Sequence, residues 1–98
     1  MTQQEFDKQL SDLAKKYYEI VGPLHKTYQS LTLQQAQDAE KNLRTIKVGL
    51  ENMQKSELKL CKDSTKFYNL LTNVAAAHRT YYEKAEALKN GTLQPYEL

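Results

Sequence analysis

The alternation of apolar and polar residues predicts a chain that is almost entirely helical. The pattern is clearest from Ser64 to Leu88, where apolar side chains follow an alternation of three and four residues. This spacing is typical of the buried seam of a helix. The seam of this stretch consists of Phe67, Leu71, Val74, Tyr81, Ala85 and Leu88. We expect a long helix here, and we expect the rest of the chain to pack around it.

A first helix is predicted from about residue 3 to residue 28. Thr2 and Glu5 form the pattern of a capping box, in which each side chain accepts a hydrogen bond from the backbone of the other. The seam that follows consists of Phe6, Leu10, Leu13, Tyr17, Ile20 and Leu24. The Gly22-Pro23 pair predicts a kink or an earlier end of the helix, because proline lacks a backbone donor and crowds the preceding turn.

A second seam begins at Ala36 and keeps one phase to Leu88. Its apolar residues before the central stretch are Ala36, Ala39, Leu43, Ile46, Leu50, Met53 and Leu60, and its polar residues are Glu57, Ser64 and His78. If Lys62-Asp63-Ser64 is a turn, helices at about 32–61 and 64–90 complete an all-α antiparallel three-helix bundle, followed by a tail at 91–98. If it is not, one helix of about 58 residues, roughly 85 Å long, must pair with another chain.

Apolar residues that flank the seams favour the bundle, because a helix inside a bundle needs a wider apolar stripe than a coiled-coil pair does. The alternative is an arrangement of long helices that dimerises as a coiled coil. A length of 98 residues fits a single helical domain in either case.

Charge and composition exclude several classes of protein. The 14 basic and 12 acidic residues are mixed along the chain and leave a formal net charge of +2, so we expect no nucleic-acid partner. No apolar run approaches the roughly 18 residues that span a bilayer, and no N-terminal signal peptide is visible. The single Cys61 cannot form a disulfide within the chain. These features predict a cytoplasmic protein.

Candidate catalytic chemistry is sparse. The histidines His25 and His78 and the thiol of Cys61 do not show the spacing of a metal site, and we predict no metal and no cofactor. An enzyme would need polar groups that converge from separate helices, and the second seam offers only Glu57, Ser64 and His78. We therefore predict a non-enzymatic protein-interaction module or scaffold, which binds a protein partner or associates with itself through its helix seams.

A stripe of lysines provides an alternative mode of binding. Lys55, Lys59, Lys62 and Lys66 recur at intervals of four, three and four residues, so a continuous helix would align them on one face. Such a face could contact an anionic membrane surface. The alternation of acidic residues with these lysines is also typical of the solvated flank of a coiled-coil seam.

Two segments resemble known families. Residues 60–72, which include the run Thr-Lys-Phe-Tyr-Asn followed by a Leu-Thr pair, resemble the V domain of ALIX-family (Bro1) adaptors of the ESCRT machinery. Those domains are bundles of long helices that bind Tyr-Pro-x-Leu peptides and ubiquitin. The resemblance implies a short peptide ligand and a role in membrane trafficking, with Phe67, Tyr68 and Leu71 in the peptide groove. Residues 76–85 resemble the last helix of BAR domains, which implies a coiled coil on a membrane surface.

Overall fold

The computed structural model describes residues 1–91, and a hydroxyl side chain starts each of its three long helices. Thr2 precedes α1 (Gln3–Lys26), Thr32 precedes α2 (Leu33–Ser56), and Ser64 precedes α4 (Thr65–Asn90). Each hydroxyl accepts a hydrogen bond of 3.1 Å from the backbone N–H three residues later. These caps satisfy donors that a helix start otherwise leaves unpaired. The capping box predicted at Thr2 and Glu5 is present.

The helix bounds differ from the sequence prediction at two places. The second helix breaks at Glu57, where φ is −129° and ψ is 51°, and the short helix α3 (Leu58–Lys62) follows. α1 continues through Pro23 and ends at Lys26, after which Tyr28–Ser30 form a 3₁₀ turn. Of the predicted tail at 91–98, Gly91 is the C-cap of α4, and residues 92–98 lie outside the described residues.

The prediction of an all-α bundle is confirmed, and the prediction of a continuous rod is wrong. The chain reverses between α3 and α4, so α4 lies antiparallel to α2 and packs mainly against it. The seam residues that shared one phase in the sequence therefore face each other across this hairpin. The described residues contain helices and no strand.

The core consists of two clusters, one at each end of the bundle. We call the end of the bundle at which α1 begins the lower end, and the opposite end the upper end. All four helices meet at the lower end, and the buried residues there are Phe6, Leu10, Ile46, Leu50, Met53, Cys61, Phe67, Leu70 and Val74. The buried residues of the upper cluster are Leu31, Ala39, Leu43 and Tyr81. α1 is fully buried only at Phe6 and Leu10, near its start. It therefore packs closely at the lower end and less closely toward the upper end.

Two contacts identify the sides of the bundle. Leu13 of α1 lies against α2 at Gly49, and Glu40 of α2 meets His78 of α4 on the opposite side of α2. We call the surface between α2 and α4 on the Glu40–His78 side the α2–α4 face. The surface on which α1 approaches the other side of α4 is the α1–α4 groove.

Candidate functional site

An open cleft lies in the upper half of the α1–α4 groove. It has a volume of about 1110 Å³ and is lined by residues of α1, of the 3₁₀ turn and of α4. Its principal walls, which define what we call the tyrosine cleft, are Tyr17, Val21, Tyr28, Ala77, Thr80 and Tyr81. Above Leu10 no residue of α1 is fully buried, and the cleft lies at this level between α1 and α4.

Aromatic rings form the floor and one end of the tyrosine cleft. The rings of Tyr28 and Tyr81 meet edge to face, with centroids 5.9 Å apart and an angle of 73° between their planes. Tyr17 contributes from α1 and packs against both core clusters. Rings that combine an apolar body with a hydroxyl group are common where proteins contact other proteins.

The tyrosine cleft is neutral to basic. Among its described lining residues none is acidic, whereas His25 and Lys26 lie at its rim. Burial raises the pKa of the Tyr81 phenol above its ordinary value, and the neighbouring Tyr28 and Tyr17 add to this. Burial likewise raises the pKa of Tyr17, with a smaller effect from Tyr18. Both phenols therefore remain neutral hydrogen-bonding groups near pH 7.

A buried lysine supports the wall at Tyr28. Lys84 is only 1% exposed, and its Nζ lies 4.9 Å from the centroid of the Tyr28 ring. Within residues 1–91 it forms no ion pair with a carboxylate. A cation over an aromatic face is attracted by the negative charge of that face. This contact ties the 3₁₀ turn to α4 and fixes one end of the cleft.

A second, smaller hollow lies lower in the same groove. Its volume is about 490 Å³, and its walls include Leu10 and Tyr18 of α1 and Lys66 and Leu70 of α4. Tyr18 is one of the more exposed aromatic residues of the described chain. The α1–α4 groove is thus open at two levels, and the upper one offers the greater space and the more aromatic wall.

The structure separates the three residues that the ALIX-like resemblance places in a peptide groove. Phe67 is 0% exposed, and its ring centroid lies 6.4 Å from that of Phe6 in the lower core. Tyr68 is exposed, and Leu71 is half-buried on the α2 side of α4. Phe67 therefore offers no surface to a ligand in this structure. Peptide binding at Tyr68 and Leu71 remains a prediction.

The four lysines of the predicted stripe are all exposed, but no continuous helix carries them. Lys55 lies in α2, Lys59 and Lys62 in α3, and Lys66 in α4. The breaks at Glu57 and at Asp63-Ser64 separate these helices. The single helical face that a continuous helix would have provided is therefore absent.

The polar residues of the second seam take separate positions. Ser64 caps α4, while the Nε2 of His78 lies 3.4 Å from the Oε1 of Glu40. Fourteen residues separate Ser64 from His78 on one helix, which corresponds to roughly 20 Å. Within residues 1–91, no three His, Cys, Asp or Glu side chains are grouped so that they could hold a metal ion.

Sequence reasoning missed the tyrosine cleft and the burial of Lys84. A signal for the cleft was present in part, because Tyr17 and Tyr81 both lie on predicted seams. The space that remains between α1 and α4 at this level depends on contacts between distant residues. A lysine is almost never fully buried, and Lys84 lies beside the predicted seam and not on it, so the pattern did not indicate its burial.

Comparisons with protein-family models, with curated proteins and with solved structures found no match. The resemblances to ALIX-family V domains and to BAR domains therefore remain predictions. None of the helices in the described part of the chain combines the length and the apolar character needed to cross a bilayer.

Proposed function

We propose that this chain is a non-enzymatic protein-interaction module that binds a short peptide in the tyrosine cleft. The observation that supports this most directly is the cleft itself, an open space of about 1110 Å³ walled by aromatic and small side chains. Clefts of this kind bind peptides through a few apolar anchors that fill them. The ALIX-like resemblance adds a role as an adaptor in membrane trafficking.

The dimensions of the cleft fit a peptide of about four residues. On α1 its lining extends from Tyr17 to Lys26, which corresponds to roughly 14 Å of helix. Four residues of an extended chain span roughly 13 Å. A Tyr-Pro-x-Leu peptide has this length.

The charge of the rim favours an acidic residue next to the anchors of the ligand. His25 and Lys26 lie at the rim, and no acidic residue opposes them among the described lining residues. A carboxylate on the ligand would therefore meet only basic or neutral groups there. Such complementarity contributes to specificity and to the association rate more than to affinity.

Binding can be tested by titrating a labelled Tyr-Pro-x-Leu peptide, with an acidic residue beside it, and following fluorescence anisotropy. Thr80 lines the cleft and is exposed, so the bulky ring of Thr80→Trp would occupy the space without disturbing the core. We expect it to weaken binding by roughly tenfold or more, equivalent to about 1.4 kcal/mol.

Thr45→Trp is a matched control. Thr45 and Thr80 are both exposed within long helices, and each hydroxyl donates a hydrogen bond to the carbonyl oxygen four residues earlier. Thr45 does not line the cleft, so Thr45→Trp should leave the affinity unchanged. Equal effects of the two variants, or no binding to the wild type, would contradict the proposed site.

A further inference from the structure

The α2–α4 face carries a stripe of partly exposed side chains along α4. The stripe follows alternating intervals of three and four residues and consists of Tyr68, Leu71, Ala75, His78 and Tyr82. Tyr68 is 39% exposed and Tyr82 is 49% exposed, although both are large aromatic residues. No described helix covers the stripe, because α1 lies on the other side of α4. This spacing is that of a seam which a further helix covers in coiled coils.

The stripe is nearly symmetric about its centre. Tyr68 and Tyr82 each lie seven residues from Ala75, on opposite sides of it, while Leu71 lies four residues before Ala75 and His78 three residues after it. A two-fold axis that crosses α4 at Ala75 would place Tyr68 against Tyr82 of a second copy. The small side chain at the centre permits close approach of two helices. A surface that is complementary to itself in this way is what a two-fold dimer requires.

Two charged residues of α2, Glu40 and Lys47, follow the same symmetry. The contact of 3.4 Å between Glu40 and His78 sets the register of the antiparallel hairpin, and this register places Lys47 beside Leu71. Glu40 therefore lies about 4.5 Å above the level of Ala75, and Lys47 about 6 Å below it. The two-fold rotation brings Lys47 opposite Glu40 of the second copy, and the same pair recurs by symmetry. The Glu40–Lys47 pairs thus lie on both sides of the axis, and between them Arg44, which pairs with Glu40 of its own chain at 3.6 Å, comes close to its own symmetry mate.

The size of the face is sufficient for a stable dimer. The described bundle measures 47 × 21 × 20 Å, so one side of it has an area on the order of 900 Å². Typical stable interfaces bury about 800 Å² on each partner. A contact over most of the α2–α4 face would reach this range.

We propose that two copies of this chain associate through the α2–α4 face, with their α4 helices antiparallel and the two-fold axis at Ala75. The tyrosine cleft is in the α1–α4 groove, away from this interface, and stays open in the dimer. The dimer is therefore independent of peptide binding, and either can fail without the other. If both hold, each dimer presents two clefts.

Sedimentation equilibrium over a range of protein concentrations tests the association. We expect the wild type to approach twice the chain mass of 11.4 kDa as concentration rises. Tyr82→Glu should raise the dissociation constant by roughly 30-fold or more, because it replaces a large aromatic contact with Tyr68 of the second copy by a charge. Val48→Glu is the matched control, because Val48 is 47% exposed and lies on the outer side of α2. It should leave the mass unchanged, and circular dichroism should show equal helix content in both variants.

Cross-linking tests the register. With Ala75→Cys, the two new thiols meet at the axis and should form a disulfide-linked dimer under mild oxidation. Thr45→Cys, at an exposed position on α2 away from the face, should not; the native Cys61 is buried and common to both. A monomeric wild type at all concentrations overturns the proposal. A dimer that Tyr82→Glu leaves intact also overturns it, because the interface would then lie elsewhere. Equal cross-linking of the two cysteine variants would overturn it as well.

Discussion

Replacing each glycine of this chain by alanine tests the structure, because the structure predicts whether each replacement raises or lowers the free energy of unfolding. Gly49 lies within α2 where Leu13 of α1 approaches it. A Cβ atom at this position would lie 3.7 Å from Cδ2 and 3.9 Å from Cδ1 of Leu13, which are ordinary contact distances. Alanine therefore fits without displacement of α1. Because glycine within a helix is less favourable than alanine by about 1 kcal/mol, Gly49→Ala should raise the free energy of unfolding by about that amount.

Gly91 should respond in the opposite direction. It ends α4 with φ of +67°, in the left-handed region that residues with a Cβ atom adopt only at a cost. Gly91→Ala should therefore lower the free energy of unfolding by about 1 kcal/mol, although no atom lies within 4 Å of the added Cβ. The two variants carry the same chemical change, so their difference reports backbone conformation and packing alone.

Gly22 provides the intermediate case. A Cβ atom added at Gly22 would also meet open space, but Gly22 directly precedes Pro23 within α1. The proline ring disfavours helical geometry for a preceding residue that has a Cβ atom, and this offsets the gain in helix propensity. We expect Gly22→Ala to change the stability by less than about 0.5 kcal/mol.

Thermal unfolding followed by circular dichroism measures all three variants. For a domain of this size, 1 kcal/mol corresponds to a shift of about 4–8 °C in Tm. Gly49→Ala should thus melt later than the wild type and Gly91→Ala earlier. A lower Tm for Gly49→Ala would mean that α1 lies closer to α2 at Leu13 than the structure has it, and it would refute the reasoning about this crossing.

Three further predictions concern the core and its titrating groups. Phe67→Ala should lower the free energy of unfolding by about 3–5 kcal/mol, as at other aromatic core sites that are emptied. Tyr68→Ala, at an exposed position, should lower it by less than about 1 kcal/mol in the same thermal unfolding experiments. Similar losses in the two variants would show that the ring of Phe67 is not in the core. Because burial raises the pKa of Tyr81 above 10.0 and also that of Tyr17, the unfolded state releases these protons first. The stability they contribute is full below about pH 10 and is lost as pH rises through the folded values, so Tyr81→Phe should flatten this loss in urea titrations. Burial also raises the pKa of the Cys61 thiol, and it should react with a thiol reagent far more slowly in the native protein than in urea.

The sequence alone determined the helices and much of what they bury. The capping residue Thr2 and the seam of α2 from Ala36 to Met53 are local features, because a cap acts within one turn and a seam follows from the helical repeat. The structure confirms both, since Thr2 caps α1 and the α2 seam residues are buried. The apolar residues beside the helix seams also favoured the bundle correctly, because they widen the apolar stripe that neighbouring helices must cover.

The tertiary structure alone decided which side of each helix is left open. The unbroken phase from Ala36 to Leu88 did not show that the chain reverses, because a reversal at Asp63-Ser64 preserves the spacing on both sides of it. The full burial of Phe67 and of Lys84, and the partial burial of α1 beyond Leu10, depend on contacts between residues distant in the sequence. A repeat along one helix specifies a direction of burial, but only the packing of the other helices determines how completely each position is covered.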